Sequence, residues 1–167
     1  MIEIDYRLSL DWAMKPGEVN LTEADEMTLR YSVFLGDVIF KVDGVDFSTH
    51  WRWVPMLDFA ICLLSVLEDL SAGKEQSSIE FTESEAELVF RRIDDLVFIT
   101  SNYNSNLASA SYRELEDASV AFSIKVFSDF RRLNPEASQN AAIRILEERY
   151  PVLQRLNPGI IITPNGL

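Results

Sequence analysis

The chain has 167 residues, of which 47% are hydrophobic, 25% charged and 11% aromatic. These are globular proportions that exclude a disordered chain and make one domain the expectation. With 27 acidic and 15 basic residues the net charge is −12, which argues against a nucleic-acid binder, because such proteins carry a basic stripe. The single cysteine and single histidine exclude a disulfide framework and argue against a Cys/His zinc site.

At the N-terminus, Ile2 to Leu8 alternates apolar and polar residues and reads as a half-buried strand. The start is acidic, through Glu3 and Asp5, and lacks the basic and apolar regions of a secretory signal. Pro16-Gly17 signals a turn. Leu29, Tyr31, Val33 and Leu35 then alternate, Gly36-Asp37 sits between two strand-like runs, and Val38, Phe40 and Val42 carry on the period to a turn at Asp43-Gly44. The pattern predicts a hairpin or meander.

From Pro55 the period changes. Met56, Leu57, Phe59, Ile61, Leu63, Leu64, Val66, Leu67 and Leu70 cover nearly every side of a helix, with Pro55 suited to its start and Gly73 to its end. A helix apolar all round is a buried one. Its longest apolar run, Phe59 to Leu67, is nine residues between Asp58 and Glu68, against about 20 needed to cross a bilayer. The expected protein is therefore soluble and cytoplasmic, with no membrane segment.

Strands resume at Ile79 to Phe81, with further runs at Leu88 to Phe90 and Leu96 to Ile99 joined by a turn at Asp94-Asp95. Ser84 and Glu87 also have capping-box spacing, so 84–92 reads as strand or helix, with the β-rich flanks favouring strand. The last third is helical. Ser111 and Glu114 form a capping box ahead of Leu115, Phe122, Val126, Phe127 and Phe130. Asn134-Pro135-Glu136 is expected to end that helix and begin another, carrying Ile143, Leu146 and Tyr150, that stops at Pro151.

The expected fold is α+β: an antiparallel sheet of about five or six strands packed on a buried central helix, with two C-terminal helices. Its single domain comprises N-terminal strands over 1–54, the buried helix over 55–72, strands over 77–101, two helices over 111–150 and an irregular tail over 151–167.

The charge is unevenly spread. The first 100 residues hold 20 acids and 8 bases, the last 67 hold 7 of each, so the whole excess lies in the first part. Either the acids serve solubility, or they form a face for a basic partner.

Catalytic signals are sparse. His50 lies beside tryptophans in a segment entering the buried helix, where packing competes with catalysis as its role. Cys62 is inside the most apolar helix, where a thiolate is disfavoured. Glu83, Glu85 and Glu87 would share one side of a strand, as a divalent-cation site or as a solvated edge. Trp51 and Trp53, two residues apart, point the same way in an extended segment, either as a core plug or as an interface anchor. No cofactor motif is present, and neither a metal nor a cofactor is expected.

Three runs carry a resemblance: Gly36-Asp37-Val38-Ile39-Phe40-Lys41-Val42-Asp43-Gly44, Trp53-Val54-Pro55-Met56-Leu57-Asp58-Phe59, and Phe81-Thr82-Glu83-Ser84-Glu85. They look like small bacterial proteins of unknown function. In size, acidity and layout the chain also resembles immunity proteins of polymorphic and contact-dependent toxin systems. That resemblance implies a cytoplasmic protein that neutralises a partner toxin, often a basic nuclease.

The leading expectation is accordingly a binding protein, not an enzyme, that inhibits a basic toxin domain. Its candidate contact residues are Asp43, Asp46, Trp51, Trp53, Glu83, Glu85, Glu87, Asp94 and Asp95. The alternatives are a small enzyme built on dispersed carboxylates, with or without a metal, and an adaptor that self-associates through its neutral C-terminal helices.

Overall fold

The computed structural model describes residues 1–9, 18–82 and 84–156. The expected turn at Pro16-Gly17, candidate residue Glu83 and tail residues 157–167 lie outside the described residues. The fold is α+β with antiparallel sheets, but the strands form two sheets of four rather than one sheet of five or six.

In the first sheet, β1 (Ile2–Leu8) pairs antiparallel with β2 (Leu35–Val42), which also pairs with the short β3 (Val45–Asp46) and β4 (Val54–Pro55). The β2–β3 hairpin turns on Asp43 and Gly44, both at positive φ (47° and 85°), as a two-residue turn matching strand twist requires. Gly36 does not make a turn. It is buried within β2 opposite Leu8, where an added Cβ would stand 2.1 Å from the Arg7 carbonyl oxygen.

The segment read as the start of the first hairpin is instead a short helix, α1 (Glu26–Tyr31). The Asp25 side chain accepts the Thr28 N–H at 2.8 Å and so caps it. One turn of helix and a strand place Leu29 and Val33 inward equally well, so alternation alone could not distinguish them.

The helix α2 (Met56–Ser71) is buried along its length, with Phe59 at 2% and Leu63 at 1% exposure. It packs against the long α3 (Tyr112–Leu133) and against β5 (Gln76–Glu80). Its end is capped through Gly73, at a φ of 94°, whose N–H bonds the Leu70 carbonyl.

The second sheet is the meander β5, β6 (Glu87–Ile93), β7 (Leu96–Ser101) and β8 (Leu107–Ser111). Segment 87–93 is therefore strand, and Asp94-Asp95 closes the β6–β7 hairpin next to the Ile93–Leu96 pair. Inward-facing Leu88, Phe90, Val97 and Ile99 are fully buried. Phe40 of β2 stacks on Phe90 of β6 at 6.3 Å, so both sheets feed one hydrophobic core.

Ser111 and Glu114 form the expected capping box at the start of α3. The next helix begins later than expected. Pro135–Gln139 is a 3-10 turn, and α4 (Ala141–Arg149) is capped by Asn140 rather than Asn134. Buried Asn140 accepts the Ala142 N–H at 2.7 Å and donates to the Leu21 and Ala24 carbonyls, which ties the α4 cap to the segment before α1. The first part of the tail, Pro151–Leu156, forms another 3-10 turn rather than irregular chain.

Candidate functional site

Beyond β3 the chain leaves the sheet edge but stays anchored to β2. The Phe47 and Thr49 N–H groups bond the Phe40 and Val38 carbonyls, while the Thr49 and Ser48 hydroxyls accept the Val38 and Phe40 N–H groups. This ladder fixes residues 46–50 and turns Asp46 and His50 outward to solvent while Phe47 and Thr49 are buried.

The β7–β8 loop closes over this segment. The Tyr103 hydroxyl donates to the Phe47 carbonyl at 2.7 Å, and the Asn104 and Asn106 side-chain amides donate to the Asp46 carbonyl at 2.9 and 3.3 Å. Burial pushes the Tyr103 hydroxyl well above the usual phenol range, so it stays a donor. Between the two segments lies an open cleft of about 320 Å³, lined by Asp46, Ser48, His50, Trp51, Tyr103, Asn104 and Asn106.

Trp51 forms the aromatic wall. It stacks on Trp53 at 5.3 Å and meets the rings of Phe81 and Tyr103 edge-on at 5.1 and 5.2 Å. Trp51 packs against the core and also lines the solvent-open cleft. Arg52 between the tryptophans has a φ of 68°, and its N–H bonds Asp37 at 2.8 Å.

Asp46 is the carboxylate of the cleft. Ser48 hydrogen-bonds it, through its side chain first and its backbone N–H next, and holds it below the usual carboxylate range against the opposing effect of burial. Nearby Lys41 and His50 add in the same direction. The side chain is ionised at neutral pH.

Two other candidates are tied to the β7–β8 loop. Glu87 begins β6 and Glu85 is exposed in the loop before it. They do not share one side of a strand, because Ser84 and Ala86 close a bend in which the Ala86 N–H bonds the Ser84 hydroxyl. Asn102 joins this loop to the cleft: it accepts the Glu87 N–H at 2.8 Å and donates to the Glu85 carbonyl at 2.6 Å. Asp46 at the end of β3 and the segment carrying Glu85 and Glu87 at the start of β6 are therefore both bonded to the asparagine-rich stretch 102–106.

Asp43 is not one of this group. Its carboxylate pairs with the N-terminal ammonium, which also lies 3.6 Å from Glu114. Asp94 and Asp95 are exposed at the β6–β7 turn, and the Asp95 carbonyl accepts the Tyr112 N–H at 2.7 Å, beside the start of α3.

Tyr103, Asn104 and Asn106 were not among the sequence candidates. The signal available was local: three asparagines within five residues, 102–106, between two strands, a composition that favours side-chain to backbone bonding.

The surroundings of Cys62 disfavour its thiolate. Burial pushes its thiol up to about 12, reinforced by Asp58, whose carboxylate lies 3.8 Å away. Asp58 in turn is raised by burial although Arg30 is bonded to it at 2.6 Å.

Among the described residues, no three His, Cys, Asp or Glu side chains are grouped to hold a metal ion, and no helix is long and apolar enough to cross a membrane. A second shallow depression, of about 360 Å³, lies on the outer face of the β5–β8 sheet among Val89, Arg91, Ile93, Phe98 and Leu107. Comparison with protein-family models, with curated proteins and with solved structures returns no match for the chain.

Proposed function

We propose that this chain is a cytoplasmic, immunity-type binding protein that neutralises a basic toxin domain, acting without catalysis of its own. The observation that supports this reading best is an open cleft lined by Asp46 and walled by Trp51, whose β7–β8 loop is tied through Asn102 to the segment carrying Glu85 and Glu87. A net charge of −12 would draw a basic partner to the chain, and acidic side chains would compete for positions that a nuclease uses for phosphates. An aromatic residue set in a rigid surround is the usual centre of a tight interface, with charges at its rim.

Division of labour follows from those placements. Exposed Glu85 and half-buried Glu87 would set the encounter rate, and Trp51, once desolvated, would set the lifetime. Asp94 and Asp95, at the opposite end of the β6–β7 hairpin from Glu87, and Asp43, at the β2–β3 turn, would act through long-range attraction rather than at the cleft.

The testing experiment is capture from the source organism's lysate with the full chain as bait, followed by an activity assay of the recovered protein. The expected result is a basic protein whose activity the chain suppresses in a stoichiometric complex. Recovery of an acidic partner, or of a basic one whose activity is unaffected, would contradict the proposal.

A further inference from the structure

We infer that the cleft between Asp46 and Trp51 is a receptor for a single arginine side chain of the partner; this rests on the reading of the chain as a binder of a basic protein. The lining decides the chemistry. Three of its donors are already engaged: the Asn104 and Asn106 amides both donate to the Asp46 carbonyl, and the Tyr103 hydroxyl to the Phe47 carbonyl. What faces the space is an ionised carboxylate and aromatic surface, with Ser48 and the exposed His50 completing the lining. Among the described residues that line it there is no lysine or arginine. Such a surround attracts a cation and repels an anion.

Guanidinium suits it better than ammonium. Its plane stacks on an indole while its edge gives paired N–H groups to a carboxylate, whereas ammonium offers a strongly hydrated point charge. The Ser48 N–H donates to the Asp46 Oδ1 at 2.8 Å and the Ser48 side chain also bonds the carboxylate, which fixes its orientation before a ligand arrives. The walls are held before any ligand arrives. Trp51 is braced by Trp53, Phe81 and Tyr103, and the Asn104 Oδ1 accepts from the Ser101 hydroxyl at 2.6 Å and the Asn106 N–H at 3.3 Å. A braced site loses little conformational entropy on binding, so a small ligand can register there.

The experiment is a titration of the full, isotope-labelled chain with Nα-acetyl-arginine methylamide, followed by amide and indole NMR signals. The citrulline analogue serves as an uncharged isostere. Arginine should move the Trp51 indole signal and the Asn104 and Asn106 side-chain amides, with citrulline at least about fivefold weaker. Asp46→Asn, which keeps an acceptor for the Ser48 N–H, should weaken arginine binding about tenfold. Trp51→Phe, which keeps an aromatic packing group, should weaken it about threefold. Equal response to citrulline, indifference to Asp46→Asn, or shifts confined to another surface would overturn the inference. The two ideas fail separately. If arginine is ignored while a basic partner still binds with salt-dependent kinetics, only the pocket is wrong. If arginine binds as described while no basic partner is captured, the pocket stands and the immunity reading falls.

Discussion

Trp51 stacks on Trp53 with ring planes 17° apart, across an Arg52 held at a φ of 68°. In a regular strand, residues two apart are spaced by about 7 Å on one face. Here the left-handed residue between them reshapes the backbone, and the centroids are 5.3 Å apart. A non-glycine residue in that conformation costs about 1–2 kcal/mol, a strain that persists only where its surroundings impose it. The Arg52 N–H bond to Asp37 is one such constraint. If the braced Trp51 anchors a partner, Trp51→Ala should raise the dissociation rate at least tenfold with little change in association rate, measured by surface plasmon resonance. A change confined to association would contradict the anchor role.

Leu63 is 1% exposed at the centre of α2, which packs on both α3 and β5. Leu63→Ala should cost about 2–5 kcal/mol through the cavity it leaves. Chemical denaturation should show a lowered midpoint with an unchanged slope. An unchanged midpoint would remove α2 from the centre of the core.

Gly36→Ala should also destabilise, for a different reason. Its new methyl group would meet the Arg7 carbonyl oxygen at 2.1 Å, and backbone cannot swing aside as a side chain can. The β1–β2 pairing would have to shift, at a cost of about 1–3 kcal/mol. Hydrogen exchange should show β1 amides losing protection first, and unchanged β1 protection would count against the close approach.

Cys62 should resist thiol reagents in the native state at pH 8, because burial and Asp58 push its thiol up to about 12. Labelling with a disulfide reagent should be slow in buffer and rapid in denaturant. Fast native labelling would show that the α2 surface around Cys62 opens to solvent.

Two helix caps link stability to acid. Asp25 is held below the usual carboxylate range by the Thr28 N–H and side chain, and Glu114 by the Ser111 N–H and side chain. Because their folded values are depressed, their contribution is present above their ordinary values of 3.8 and 4.5 and is lost as pH falls through the lower folded ones. The thermal midpoint should therefore decline as pH drops through about 4. Asp25→Asn with Glu114→Gln, which keep capping oxygens without titrating, should flatten that decline. Buried Asp58 acts in the opposite sense: its raised value means that protonation relieves a desolvation cost. A midpoint that rises on acidification would mean that Asp58 outweighs the caps.

Local patterns announced much of this fold. The all-round apolar run of α2, the Asp94-Asp95 hairpin and the Ser111–Glu114 box need only neighbours in sequence, and each is where the periodicity puts it. Non-local pairing was not legible. Nothing in the alternation of Ile2 to Leu8 says that β1 and β2 form a sheet apart from β5–β8. The strand β8 was missed because its inward residues are only Ala108 and Ala110, too small to give a hydrophobic signal. At the candidate site, Asp46 and Trp51 were legible as residue types near a hairpin, but the partners that shape their cleft, Tyr103 to Asn106, come from more than 50 positions away.

The acidic loops are tested most directly by the association rate with the captured partner at two ionic strengths. Wild-type association should fall roughly tenfold or more between low and high salt, as steering by opposite charge requires. Glu85→Lys with Glu87→Lys should slow association at low salt and flatten that dependence, while leaving the fold intact. Glu85 is exposed in a loop, and Glu87 faces Glu80 across the β5–β6 pair, where reversing one like charge removes a repulsion. Association that is insensitive to salt, or unchanged by both reversals, would contradict an acidic capture surface and leave the negative charge to solubility alone.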